Sequence, residues 1–168
     1  MAARDRPRLT IRAIRATPVR VPMRFALGTS AATVREAPLL LVDLETHEGV
    51  TGRGYQFCYR AAAAPAITTF LADIVEAVAG QPIVPADIWA RLSKRYTLIG
   101  VQGIVRMAMA MVDVAAWDAL SRAAGLPLAR FLGAEPRPIR AYNSNGLGLM
   151  EPAALGDESE KQAPGVPV

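Results

Sequence analysis

Two acidic residues on one predicted helix are the first candidates for chemistry in this sequence. Asp113 and Asp118 lie in the mostly apolar segment 101–124, where a carboxylate could act as an acid, a base or a metal ligand. Their spacing of five residues places the side chains well apart around a helix, whereas paired ligands would share one face. Arg122 follows Asp118 by one helical turn and is a ready ion-pair partner.

The other reactive side chains stand alone. His47 is the only histidine and falls in a predicted hairpin turn, so we expect a solvated side chain with no second histidine to form a metal pair. Cys58 is the only cysteine and has no histidine near it in sequence, which makes a thiolate nucleophile a weak hypothesis. We therefore predict no catalytic residue and no metal ligand in this chain.

Composition narrows the class of protein. With 52% hydrophobic and 20% charged residues among 168, the chain is long and apolar enough for one folded core. The net charge is +4, but the arginines are dispersed and no aromatic residues alternate with them, so we expect a solvated basic face and no nucleic-acid partner. No apolar run approaches the roughly 20 residues of a membrane span, and the opening MAARDRPR lacks a signal-peptide pattern. We expect a cytoplasmic protein.

The first third of the chain has strand periodicity. Alternation predicts a strand at 8–21, with a slip of one position that a β-bulge near Ala13 would explain. Pro18 and Pro22 indicate an edge strand or a strand end. The segment 22–37 has no steady period and is predicted as a long loop.

A hairpin and three helices follow. Strands at 39–44 and 50–57 flank a turn in which Gly49 suits a positive φ. Helical periodicity then covers 62–79, 85–96 and 101–124. Strands that precede helices in this way indicate an α+β fold, a three-stranded antiparallel meander followed by a helical bundle. For the first helix, the predicted inward stripe consists of Ala66, Thr69, Phe70, Ile74 and Ala77.

Three stretches resemble a known family. The hairpin LLLVDLETHEGVTGRGYQF is similar to the second and third strands of the capping domain of the enolase superfamily. The segment MAMVDVAAWDALSRAAGLPLARFLGA is similar to its long helix and the entry to its barrel, and PIRAYNSNG resembles the first barrel strand. The run VRVPM through GTSAATVREAP resembles the mobile loop of the mandelate racemase and muconate lactonizing enzyme branch. A long match in the right order is far more specific than any single short motif.

The resemblance implies a function. In that family a capping domain closes over a (β/α)₇β barrel, and a barrel base removes the proton α to a carboxylate bound on Mg²⁺. The metal and nearby cations stabilise the developing enediolate, and the capping loops exclude water. We expect the amino-terminal capping domain of a racemase or dehydratase that acts on an α-hydroxy acid or acid sugar. The resemblance also implies a homo-oligomer and makes Asp113 and Asp118 structural, satisfied by an arginine or by backbone donors.

The resemblance also assigns substrate contacts. Tyr55 matches a tyrosine of the second mobile loop, and its place after Gly52 and Gly54, where we expect the chain to bend, favours the pocket over an ordinary strand aromatic. We interpret Phe57 and Tyr59 as packing residues. The first mobile loop would contribute further contacts to the substrate, and the end of the first barrel strand would contribute one more, although its sequence is also good turn chemistry; these residues are Phe25, Leu27, Thr29 and Ser144.

The barrel itself is not in the sequence. We predict a capping domain at 1–137, followed at 138–168 by only the first strand of a TIM-like barrel and an irregular tail, whereas a barrel needs roughly 200 residues or more. The Mg²⁺ ligands of the family are absent, and Lys161 does not match its lysine motif. Two hypotheses follow. The chain is a piece of a Mg²⁺-dependent enzyme, inactive alone, or it is a stand-alone, non-catalytic module for binding or oligomerisation.

Overall fold

The computed structural model describes residues 7–28 and 33–140. Three strands come first and helices follow, which confirms the predicted α+β fold and the antiparallel meander. Residues 7–19 and 38–136 belong to one compact unit, and residues 20–28, 33–37 and 137–140 belong to a second. The elements are β1 (Ile11–Gly28), β2 (Thr33–Thr46), β3 (Thr51–Phe57), α1 (Ala63–Val78), α2 (Pro85–Arg95), α3 (Ile104–Ala123) and α4 (Leu128–Phe131).

The segment predicted as a long loop is mostly strand. β1 continues to Gly28 and β2 begins at Thr33, so only residues 29–32 of the predicted loop lie outside the described strands. The prediction of a loop at 22–37 was wrong because prolines and a missing alternation do not stop a strand at the edge of a sheet, where ladder hydrogen bonds are needed on one side only. The sheet order β1-β2-β3 places β1, with Pro18 and Pro22, at that edge.

Residues of β1 change face partway along the strand, as the sequence predicts. Ile11 is fully buried, and Ile14 and Ala16 pack partly against the same core. An odd spacing on one face requires a slip of the two-residue period. On the opposite face, Arg12 and Arg15 show the same odd spacing, since both reach the carboxylate of Glu45.

β2 and β3 form the predicted hairpin. Their antiparallel register runs from Leu39 opposite Phe57 to Glu45 opposite Thr51. Gly49 has a φ of 82° in the connecting turn, which confirms the expected positive-φ position. The inner face of β2 supplies three side chains with 1% exposure or less to the core, Leu40, Val42 and Leu44.

The helices cover the inner face of the sheet. The buried side chains of α3 recur at helical spacing and include Ala108, Met111, Val112, Ala115, Ala119 and Leu120. The stripe predicted for α1 was right in part: Ile74 is buried and Phe70 and Ala77 pack against the core, but Thr69 is exposed. The segment is so rich in alanine that two neighbouring stripes fit its pattern equally well. The buried residues of α1 are Ala64, Ile67, Leu71, Ile74 and Val78.

The end of α3 shows how local sequence sets a boundary. Gly125 has a φ of 64°, its amide donates to the Arg122 carbonyl, and the amide of Leu126 donates to the Ser121 carbonyl, each at 3.0 Å. This pair of bonds is a Schellman motif, with glycine at the left-handed position. Pro127 follows and is the N-cap residue of the short α4.

An ion pair links α1 to α2. Arg95 Nε donates to Asp73 Oδ2 over 2.7 Å, and the Tyr96 hydroxyl donates to the same oxygen over 2.6 Å. These hydrogen bonds, Arg95 first, lower the pKa of Asp73 to about 2. Burial, followed by the contact with Asp73, raises the pKa of Tyr96. The cluster lies away from the sheet and holds two helices together.

Candidate functional site

β3 lies directly on the backbone of α3 because its inner face carries glycine. A Cβ atom on Gly52 would lie 1.9 Å from the Ala115 carbonyl oxygen and 2.8 Å from Ala119 Cβ, so no side chain fits there. At Gly54 the nearest helix atom, the Met111 carbonyl oxygen, would lie 3.3 Å away. The strand runs unbroken through both positions. These glycines therefore serve a close approach of strand to helix, and the interpretation of a bend before Tyr55 was wrong.

Asp118 joins the same strand to the same helix. The Arg53 amide donates to Asp118 Oδ2 over 2.8 Å, and Arg122 Nε donates to this oxygen over 2.7 Å. An arginine and a backbone donor thus satisfy the carboxylate, which confirms the expected partners. Because β3 is the last strand of the sheet, this bond also satisfies an amide that no neighbouring strand pairs. Asp118 is a structural link.

Asp113 has a different environment. Burial raises its pKa, and a hydrogen bond with the Trp117 side chain opposes that effect. Within residues 7–28 and 33–140, no group of three or more histidine, cysteine, aspartate or glutamate side chains could hold a metal ion. The residues that the structure describes therefore do not fit a Mg²⁺ site.

Tyr55 projects from the outer face of the sheet. Its side chain is 70% exposed and stands opposite Leu41 of β2 in the register. The next pair along the strands is Asp43 with Arg53, whose Oδ1 and Nε atoms are 3.3 Å apart. A shallow groove of about 400 Å³ runs between these side chains. This position is accessible to a ligand or a partner, so Tyr55 as a substrate contact stays a prediction.

The segment after β3 holds Tyr59, which was interpreted from the sequence as a packing residue. Tyr59 has a φ of 58°, the single positive φ among the described residues other than glycine. Its ring is 59% exposed and packs edge-on against Phe57, with 4.8 Å between centroids. Left-handed backbone costs an aromatic residue energy and is concentrated at functional sites. The sequence could not have predicted this conformation, because the residue type of a non-glycine position does not specify a positive φ.

Cys58 is the buried residue at the start of this segment. It is 2% exposed, and its amide donates to the Pro38 carbonyl over 2.8 Å. Burial raises the pKa of the thiol, so the side chain is a protonated packing group and no activated nucleophile. His47 is exposed in the hairpin turn, where its amide donates to the Thr10 carbonyl over 3.0 Å.

The remaining predicted contacts fall at the limits of the described residues. Phe25 and Leu27 lie on β1, in extended backbone. Thr29 and Ser144 lie outside the described residues. Of the strand predicted at 139–143, Ile139 and Arg140 have no regular structure, and the rest also lies outside them. No helix within the described segments is long and apolar enough to cross a membrane.

The described residues thus form an α+β domain with a three-stranded meander, a long buried helix and an exposed aromatic segment after β3. The model of the mandelate racemase / muconate lactonizing enzyme N-terminal domain matches residues 10–133. The chain belongs to this family, as its resemblance to the enolase superfamily predicted.

Solved relatives share the fold and contain magnesium. An enolase with bound Mg from the alphaproteobacterial strain bal199 is 40% identical, with a TM-score of 0.85 over 91% of this chain and 42% of that chain. An enolase from Bradyrhizobium, complexed with magnesium and mandelic acid, is 36% identical, with a TM-score of 0.76 over 81% of this chain and 38% of that one.

A dehydratase is among the characterised relatives. The L-talarate/galactarate dehydratase of Salmonella typhimurium is 28% identical over 118 residues, which are 70% of this chain and 29% of that enzyme. The chain thus spans 29% to 42% of the length of these three relatives. The family binds Mg²⁺, and its members include dehydratases.

Proposed function

We propose that this chain is the capping domain of a Mg²⁺-dependent enzyme that removes the proton α to a carboxylate of an α-hydroxy acid or acid sugar. The family match over residues 10–133 carries the proposal. The relatives named above include a dehydratase of talarate and galactarate and an enolase complexed with mandelic acid, both with carboxylate ligands. Racemisation and dehydration share the enediolate step, so the proposal covers both reactions.

The catalytic part of the protein would come from a barrel. In the proposal, residues 1–137 form the cap and residues from 138 onward begin the barrel, whose side chains would hold the metal and move the proton. A cap that offers no donor set among its described residues can bind and enclose a substrate but cannot activate it. We therefore propose that the chain is inactive by itself.

The part of the cap that would face a substrate is the segment after β3. We favour Tyr59 over Tyr55 for this contact, because the backbone at Tyr59 is held in an unfavourable conformation while its ring stays exposed. Phe57 supports the ring from the side. The contacts predicted for Phe25, Leu27, Thr29 and Ser144 remain part of the proposal.

The proposal includes a homo-oligomer and no nucleic-acid partner. Six arginines form ion pairs with carboxylates in the described structure, which supports a protein surface that is not built for phosphates; they are Arg12, Arg15, Arg53, Arg95, Arg122 and Arg130. Cytoplasmic location stays a prediction.

Hydrogen exchange at the substrate tests the proposal directly. The purified chain and the product of the complete reading frame that contains it are each incubated in D₂O with Mg²⁺ and a panel of α-hydroxy acids and acid sugars. NMR then follows loss of the α proton. We expect exchange or dehydration with the complete product and none with the chain alone. Turnover by the chain alone would refute its inactivity, and an inert complete product would refute the function.

Two tyrosine variants of the complete product separate the candidate contacts. We expect Tyr59→Phe to raise KM for the acid that turns over, and Tyr55→Phe to leave it unchanged. The reverse result would return the substrate contact to Tyr55. Both changes keep the aromatic ring, so packing against Phe57 or Leu41 is preserved in each.

A further inference from the structure

The outward side chains of β2 and β3 sort by polarity along the strands. Near the hairpin turn they are ionic, and towards the other end they are apolar. We call this surface the outer sheet face. Its pairs across the two strands are Leu39 with Phe57, Leu41 with Tyr55, Asp43 with Arg53, and Glu45 with Thr51.

The middle of the outer sheet face is open. Tyr55 is 70% and Leu41 is 41% exposed, and the described part of the chain places no element over them. Large apolar side chains that line a groove of about 400 Å³, bordered by charges, are typical of a protein interface. Arg53 and Asp43 keep 68% and 49% of their side chains exposed, so both can meet a partner's charges.

A second copy of this chain fits the face because the pattern is complementary to itself. A two-fold axis that runs along the strands, midway between β2 and β3, places β2 of one copy opposite β3 of the other without any shift along the strands. Leu41 then meets the partner's Tyr55, and Asp43 meets the partner's Arg53. A two-fold axis across the strands would instead oppose the apolar end to the ionic end. Only the first arrangement matches both kinds of pair.

We propose that the outer sheet face is a two-fold interface between copies of this chain, with the Leu41–Tyr55 pairs at its centre. Two sheets stacked face to face would interdigitate these side chains. The Asp43–Arg53 pairs would fix the register, and Arg12 and Arg15, both bound to Glu45, would border the contact. This interface gives Tyr55 a role that leaves the substrate contact to Tyr59.

Another exposed apolar site lacks this complementarity. Leu98 and Ile99, between α2 and α3, are 100% and 65% exposed. No ion pair described in the structure involves the residues on either side of them, so nothing there specifies a register. The outer sheet face carries both the apolar contact and the charge pattern. Its use rests on the homo-oligomer of the proposed function but not on the α-proton chemistry, so a monomeric chain would refute the interface and leave the exchange assay to decide the function.

Charge reversal in two separate chains tests the interface. Asp43→Arg puts arginine opposite the partner's Arg53, and Arg53→Asp puts aspartate opposite the partner's Asp43. By sedimentation velocity, we expect a reversible dimer of the unmodified chain and a dissociation constant raised at least about tenfold for each variant alone. An equal mixture of the two variants should recover the dimer, because every cross-interface pair is then opposite in charge. Pairing within each chain stays like-charged in the mixture, so recovery can arise only between chains.

Matched leucine variants locate the contact. Leu41→Glu places a charge at the centre of the proposed interface, and Leu98→Glu makes the same change at the α2–α3 connection. We expect the first to abolish the dimer and the second to leave it intact, with circular dichroism confirming that each variant is folded. The proposal is overturned by a monomeric unmodified chain, by a mixture that does not recover the dimer, or by a dimer that Leu98→Glu disrupts and Leu41→Glu does not.

Discussion

The inner and outer faces of β3 lie on one strand but differ in what rests against them. On the inner face, Gly52 and Gly54 bring the strand backbone to the backbone of α3, and Asp118 accepts a hydrogen bond from the strand. On the outer face, Arg53 and Tyr55 extend 68% and 70% exposed. A strand held by its backbone on one side is free to vary every side chain on the other. In this part of β3 the even-numbered residues therefore contribute to stability, and the odd-numbered residues are available for recognition.

The largest effect is expected when the contact between β3 and α3 on the inner face is broken. Gly52→Ala places a methyl group against the Ala115 carbonyl oxygen, a backbone atom that cannot move without shifting α3. We expect the free energy of unfolding to fall by about 3 kcal/mol. Urea denaturation followed by circular dichroism measures it. Gly54→Ala is the matched control, because its nearest contact is 3.3 Å and its cost should be about 1 kcal/mol. Equal costs at the two glycines would contradict the close approach at Gly52.

The second largest effect is expected when the Asp118 carboxylate, which links α3 to β3, is removed. Asp118→Ala leaves the Arg53 amide without its acceptor, and we expect a loss of about 1.5 kcal/mol, since hydrogen bonds to charged groups exceed neutral ones. Arg122→Ala removes only the surface ion pair within α3 and should cost about 0.4 kcal/mol. The same denaturation measurement compares them. If both variants lost the same stability, the bond to β3 would contribute nothing.

These two contacts also mark how far the sequence could be interpreted. The partner of Asp118 within its helix, Arg122, follows from helical spacing, because local geometry depends only on residues one turn apart. Its bond to β3 joins residues 65 positions apart, and no local pattern contains it. For the same reason Gly52 was interpreted as a bend. Glycine permits both a bend and a close approach, and only the packed helix decides between them.

The full length of β1 and the strained backbone of Tyr59 also could not be predicted from the sequence. The hairpin turn at Gly49 was predicted because it depends on a single positive φ that glycine supplies. The extension of β1 to Gly28 depends on pairing with β2, which overrides weak local alternation. The positive φ of Tyr59 likewise follows from no local pattern in the sequence. Tertiary contacts set both outcomes.

A third expected effect depends on pH and concerns the ion pair that links α1 to α2. The folded-state pKa of Asp73 is lowered from 3.8 to about 2 by Arg95 and Tyr96, so its contribution to stability is present above pH 3.8 and is lost as pH falls towards 2. Because the side chain is 39% exposed, we expect a contribution of about 1 kcal/mol after solvent screening. Asp73→Asn should therefore unfold more easily than the unmodified chain at pH 5, with the difference shrinking by pH 2. A difference that stayed constant with pH would show that the charge of Asp73 is unimportant.

The smallest expected effect compares Tyr59 with Tyr55, which differ in backbone conformation. Tyr59→Gly removes the cost of a left-handed aromatic residue, roughly 1 kcal/mol, but also removes the edge-on contact with Phe57, worth a similar amount. We expect these terms to cancel within about 0.5 kcal/mol. Tyr55→Gly lies in regular strand, gains no such relief, and should lose about 1 kcal/mol. If thermal denaturation showed the same loss for both variants, the φ of Tyr59 would carry no strain, and its backbone would give no reason to place Tyr59 rather than Tyr55 before a substrate.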